Sequence, residues 1–290
     1  MSGLSDYSAK AQLAWLTGQQ PFPSTPAVYL ALMTAVDTDG GSGGTEVSGG
    51  GYSRVQVAGA LTIGAAFASG VGSITLSAAA PSWLTSLGTN GSGVSVYDLT
   101  NGQFIGVVAS ISGTTVNISG NTQHASQGAS DTLLFSAFSQ PTGSAPSTVT
   151  NGAAISFPQA TASWGTVVGF ELRDAATGGN LLAWDYLGNF PWLPATISAA
   201  SPGVITSHNH GYSNGDTVTW SNEYGGVAPT VTSGSLSALN TVANVASDTF
   251  TFGVNTSTTG SGMVRKVLQQ PIAINVTASF AAGSLNIAAA

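Results

Sequence analysis

The sequence predicts a mainly β protein: a β-sandwich-like core domain with one N-terminal helix and two small inserted β-modules. Three observations carry that prediction. Apolar runs are short and end at Gly, Asn or Ser, with glycine at 38 of 290 positions; such punctuation marks sandwiches or small barrels rather than βαβ units. Only the N-terminus combines helical spacing with a cap at each end. Hydrophobic residues make up 42% of the chain, enough for real cores and too many for general disorder.

The elements follow in order. Ser5 can N-cap a helix whose positive end is complemented by Asp6, and Gly18 followed by Pro21 closes it. Leu4, Ala11 and Trp15, with Tyr7, Leu13 and Leu16 beside them, give a broad apolar face, so the helix is expected to pack on something. After Pro26, residues 27–33 (AVYLALM) read as a buried strand. Residues 37–51 are mostly glycine, hydroxyls and acids and read as a long surface loop. Residues 54–57 alternate as a strand, and short strands are expected at 73–76, 94–97, 104–110, 115–118 and 132–135. A second set is expected at 167–173, 181–186, 204–206, 217–220, 249–254, 272–276 and 284–287.

An internal echo suggests how these strands are grouped. ASDTLLF at 129–135 matches ASDTFTF at 246–252 in spacing and character, and each copy ends a stretch opened by a Gly-[Ser/Val]-Ile-Thr strand, at Gly72 and Gly203. The expected organisation is a core domain built from 1–60, 145–194 and 266–290, interrupted by β-modules at 66–140 and 195–265.

Charge and composition exclude several functions. Charged residues are 6% of the chain, against roughly a quarter in an average domain, and the net charge is −7. Lys10, Arg54, Arg173, Arg265 and Lys266 are too few to track a phosphate backbone, so nucleic acid is not expected as a partner. The absence of cysteine removes disulfides, thiolate zinc sites and cysteine nucleophiles. The start reads as lacking a secretory signal, and no run approaches the 18 apolar residues of a membrane span.

Candidate sites are sparse. His208-x-His210 would place two imidazoles on one face of an extended strand, where they could share a metal. The competing reading has His210 opening the turn before Asn214-Gly215, with His208 on a solvated edge; no cofactor or metal is expected. Trp184, Tyr186, Phe190 and Trp192 form an aromatic cluster that reads as core packing, an interface anchor or a glycan platform. Among the acids, Asp37 and Asp39 read as loop solubility, Glu171 and Arg173 as a pair on one strand face, and Asp185 as the outward face of a strand. None of these supports a hydrolase, because a second carboxylate at catalytic spacing is not evident. Gly49-Gly50-Gly51 lacks the Lys-Ser/Thr of a phosphate loop and reads as permitting close backbone approach or an unusual turn.

Several stretches together resemble a family of tailed-bacteriophage structural proteins often described as tail fibre proteins. They are VYLALMT at 28–34, GTEVSGGGY at 44–52, FPQATASWGTV at 157–167, DAATGGNLLAW at 174–184 and FAAGSLNI at 280–287. The segment around His210 to Val218 also looks like a small β-module that recurs in phage tail and fibre proteins. The resemblance implies a non-enzymatic virion structural protein, tail fibre or tail-associated, with capsid decoration at the head surface as the alternative and a glycan depolymerase as a lesser one. Its implied partners are further copies of itself, as a homo-oligomer expected by analogy to be a trimer, other virion proteins of tail or capsid, and a host surface glycan. Low charge suits large, salt-insensitive contacts within such an oligomer.

Overall fold

The computed structural model describes residues 3–19, 27–126, 128–143, 147–222 and 225–289. The chain is mainly β, with antiparallel sheets and an N-terminal helix. It divides into two compact units: Tyr186–Gln270, and the residues up to Asp185 together with those from Pro271 onward.

In the larger unit the helix spans Asp6–Leu16, with the Ser5 hydroxyl accepting from Ser8 N–H at its start. At its end Gln19 N–H reaches Ala14 O at 2.8 Å, and Gly18 takes φ +72°, the left-handed close that glycine permits. Pro21 and Pro26 lie outside the described residues. The packing of this helix differs from the expectation, because none of its residues is buried. Tyr7, Ser8, Ala11 and Gln12 line a shallow apolar groove against the sheet. Trp15 continues that stripe one turn further and is 52% exposed, and Leu13 and Leu16 fall off it.

The strand Ala27–Ala35 lies inside an eleven-stranded sheet among the described residues. Its neighbours are Gly169–Arg173 on one side and Val55–Thr62 on the other. Val55–Thr62 then pairs with Thr132–Ser136, which pairs with Ser95–Asp98. The strands of residues 66–140 therefore continue the same sheet. Side chains on alternate positions, among them Leu30, Leu32, Val57, Leu133, Phe135 and Phe170, fill its core. A one-turn helix at Ser82–Thr85 was not evident from the sequence. The C-terminal residues return as strands: Thr277–Phe280 beside Ile155–Gln159, and Asn286–Ala289 beside Ser147–Thr150. The expected strand over 272–276 is instead broken by Asn275 at φ +66°, whose N–H bonds Ala160 O.

The smaller unit holds a six-stranded sheet in the order Asn240–Thr241, Thr217–Ser221, Gly260–Lys266, Leu193–Ile197, Val204–Thr206 and Thr249–Thr251, and a two-stranded one of Val231–Ser233 and Asn255–Thr256. Ile197, Ile205, Val218, Trp220, Phe250 and Val264 form its core. Leu193–Ile197 pairs with residues 260–264, so residues ahead of the expected module at 195–265 also build this sheet.

The internal echo has a local meaning. Leu133 and Phe135 in one copy, and Phe250 and Phe252 in the other, are all buried. The aspartate before each strand gathers a loop: Asp131 accepts from Ser126 and Gly128, Asp248 from Asn209 N–H and His208. The pairing does not repeat, since Thr132–Ser136 sits between two strands whereas Thr249–Thr251 pairs with Val204–Thr206 at the end of its sheet.

Candidate functional site

The glycine-rich loop is the place where the separate motifs of the larger unit meet. The short strand Thr45–Glu46 pairs with Ala27–Ala35 and fixes Glu46. Gly49, Gly50 and Gly51 all take positive φ, reversing the chain so that Tyr52 and Arg54 come back to that carboxylate. Tyr52 donates its hydroxyl to Glu46 Oε1 at 2.9 Å and accepts from Leu32 N–H at 2.9 Å. Arg54 grips both carboxylate oxygens, Nε to Oε1 at 2.9 Å and Nη2 to Oε2 at 2.7 Å. Its Nη1 reaches Ala175 O and Gly178 O, each at 2.7 Å, so one guanidinium ties GTEV to the DAATGG turn.

Gly50 makes the second tie. Its carbonyl accepts from the Trp164 indole and from Thr161 N–H, both at 2.8 Å. A Cβ at Gly50 would lie 3.0 Å from Ala162 O and from the Trp164 ring. The Tyr52 ring stacks on Phe157 at 6.0 Å and meets Trp164 edge-on at 5.3 Å, while Phe157 and Phe170 each contact Phe280. Buried Asn151 holds the closing segment by accepting from Leu285 N–H and donating to Ala281 O.

A third tie uses the acids. Asp37 is 7% exposed, so it is a buried partner of Arg173 rather than a solubilising loop residue. Arg173 also bonds Glu171, as the alternation on one strand face predicts, and Glu171 Oε1 accepts from Asp37 N–H. Asp39 accepts from the Trp184 indole at 2.7 Å. Asp185 is buried rather than facing outward, because both faces of Leu181–Tyr186 are covered at residues 183–185.

Electrostatics follow from these contacts. Burial pushes the Glu46 carboxyl up, but the Arg54 and Tyr52 bonds outweigh it and hold the group below the ordinary carboxylate range. Burial, reinforced by Glu46, pushes the Tyr52 hydroxyl well up and keeps it a donor. Burial dominates at Glu171, whose carboxyl is raised despite Arg173. The arrangement is a clasp: its carboxylates meet arginine forks and backbone N–H groups, and its chemistry is to fix loops.

The motifs converging on this clasp are those of the phage fibre resemblance, and a direct comparison agrees. The family described as Podophage GP4 fiber I protein gp80 matches residues 3–118 and 109–190, together more than half of the chain. The chain belongs to this podophage fibre family. No curated protein and no solved structure matches it. In this fibre-family chain the match contains Glu46, Tyr52, Arg54, Trp164 and Arg173, and it runs through residues 66–140. It stops at 190, so the unit Tyr186–Gln270 lies almost wholly beyond it.

The fibre chain uses its aromatic cluster in pieces. Trp184 is 8% exposed and belongs to the larger unit. Tyr186 is half-buried at the end of Leu181–Tyr186. Trp192 and Phe190 belong to the smaller unit, where the Arg265 guanidinium lies 5.8 Å from the Trp192 ring centroid and the Lys266 ammonium 5.5 Å from that of Phe190. Those two rings thus cap successive cations of Gly260–Lys266, a pairing across more than 70 residues of chain that no local pattern signals.

The histidine pair is not on a strand. Val204–Thr206 ends before it, and Asn209 at φ +51° turns the chain. His210 is buried against Tyr212 and Phe250, its Nδ1 accepting from Tyr212 N–H at 2.9 Å and its Nε2 lying 3.2 Å from Ala246 O. A carbonyl can only accept, which assigns the proton to Nε2. His208 is 81% exposed and pairs with Asp248 at 3.1 Å. The shared-face geometry a metal pair needs is therefore absent here, and no group of three metal-ligating side chains occurs among the described residues. Sequence reasoning missed the Glu46, Tyr52 and Arg54 constellation, because it sits in a loop with no periodicity; its only signal was the unusual string GTEVSGGGYSR itself.

Proposed function

We propose that this chain is a non-enzymatic structural component of a phage virion, tail fibre or tail-associated, assembling as a symmetric homo-oligomer, with a trimer as the expected form. The family match across the clasp-bearing residues carries this reading. The sparse charge supports it, because seven net negative charges leave little long-range repulsion between copies. The deployment of Asp37, Glu46 and Glu171 on arginines, hydroxyls and backbone N–H groups supports a structural rather than a hydrolytic role. The same reading treats residues 66–140 and 195–265 as segments inserted into a framework of 1–60, 145–194 and 266–290, with host surface glycan as an external partner.

Gold-labelled antibody on intact particles, viewed by negative-stain electron microscopy, tests placement. Gold at the tail is expected; gold over the head would replace this reading with capsid decoration. New reducing ends from host polysaccharide incubated with purified protein would overturn the non-enzymatic role. Sedimentation in low and high salt should return the same oligomer, and dissociation by salt would overturn assembly through uncharged surfaces.

A further inference from the structure

The smaller unit carries a groove that none of the sequence motifs marked. It has a volume of about 450 Å³ and lies between the end of Thr217–Ser221 and the segment 228–237, within the roughly 300–1,000 Å³ of small-molecule sites. Trp220, Pro229 and Val231 are among the apolar residues that line it, and Asn222, Ser235 and Ser237 among the polar ones. Among the described residues that line it, none is charged.

The polar groups are held in place. Asn222 Oδ1 accepts from the Trp220 indole at 3.0 Å and its Nδ2 donates to Ser261 O at 2.7 Å, leaving the amide one further N–H and one further lone pair. The Ser235 and Ser237 hydroxyls are 3.1 Å apart, and Asn240 fixes their turn by donating to Ser235 O and Ala238 O. Glycine lets the strand Gly260–Lys266 come close to two of these residues: a Cβ at Gly262 would lie 2.8 Å from the Trp220 ring, and one at Gly260 2.5 Å from Pro229.

The geometry points to this groove as a binding site for a neutral saccharide, resting on the reading that the chain contacts a host surface glycan. A paired hydroxyl, a fixed amide and aliphatic walls match the alternating hydroxyl and C–H surface of a sugar ring. An anionic saccharide would meet no lining cation on a protein of net charge −7. The sugar contact thus falls to the Trp220 groove rather than to the Phe190 and Trp192 rings of the same unit, which are engaged by cations, and this unit lies almost wholly beyond the family match.

The test titrates the full chain with fluorescent maltotetraose, cellotetraose, mannotetraose and chitotetraose, and with sialyllactose as an acidic probe. At least one neutral probe should bind saturably, and S235A/S237A should weaken it about tenfold. Val231→Arg, at a residue 36% exposed, should abolish binding by filling the groove without disturbing the core, with an unchanged melting curve as the control. Failure of all four neutral probes, or tighter binding of sialyllactose, would overturn the proposal. Equal binding by both variants would overturn this site while leaving the host-glycan reading intact. Gold labelling of particles separately decides the fibre reading, whichever way the sugars bind.

Discussion

The indole N–H of Trp164 donates to the carbonyl oxygen of Gly50 at 2.8 Å. That bond joins two motifs 114 residues apart in sequence, and it exists because a glycine with φ +56° lets the backbone come within van der Waals contact of the ring. Gly50 O also accepts from Thr161 N–H, so the close approach serves two donors at once.

Gly50→Ala should therefore destabilise more than Gly49→Ala. Both positions have positive φ, which costs an L-residue roughly 1–2 kcal/mol. At Gly49 nothing lies within 4 Å of a new Cβ, whereas at Gly50 a carbonyl and an indole lie at 3.0 Å. Urea midpoints should separate the two variants by about 1–2 kcal/mol. Equal values would show that the close approach is not tight.

Arg54→Lys should cost about 2–4 kcal/mol, although charge is conserved. A lysine ammonium cannot grip both Glu46 oxygens and still reach Ala175 O and Gly178 O, and the Arg54 side chain is 6% exposed. Limited proteolysis should also cut the variant faster within 174–180. An unchanged cleavage rate would mean that this turn is held by other contacts.

The two glutamates should give opposite pH signatures. Glu46 is held below its ordinary value near 4.5, so its contribution is full above about pH 4.5 and is lost as pH falls through the lowered value. Glu171 is raised, so its folded form keeps a proton that the unfolded chain has released, and its contribution falls as pH rises above about 4.5. Stability measured from pH 3 to 7 should show the wild-type advantage over Glu46→Gln shrinking toward acid. The difference between wild type and Glu171→Gln should shrink in the opposite direction, and parallel curves would contradict both assignments.

His210→Ala should cost about 2–4 kcal/mol, because it removes a buried ring and strands the Tyr212 N–H. His208→Ala should change stability by no more than about 0.5 kcal/mol, as expected of an exposed side chain. Thermal melts with and without a chelator distinguish this from a shared metal site. Equal losses for the two variants, or a melt shifted by chelator, would restore the metal reading.

Much of the framework was legible because it depends on local rules. Ser5 and Gly18 bracket the helix through capping geometry that neighbouring residues define. Ala27–Ala35 and Thr115–Ile118 are strands because short apolar runs between turn residues bury best that way. The same rules missed Gly260–Lys266, whose glycines and paired cations carry no alternation signal, yet it lies between Thr217–Ser221 and Leu193–Ile197 in the smaller unit's sheet.

The sequence by itself determined the β class, the capped helix and the membership of the fibre family, since composition, turn chemistry and contiguous strings are local properties. Tertiary structure alone decided what the polar residues do. Asp37 is buried on Arg173, Phe190 and Trp192 face cations, and His210 and His208 part company across Asn209. Each outcome depends on a partner distant in sequence or on a single backbone turn. Hydrogen bonding and desolvation act on distances in space, and spacing along a chain fixes those distances only within a regular element.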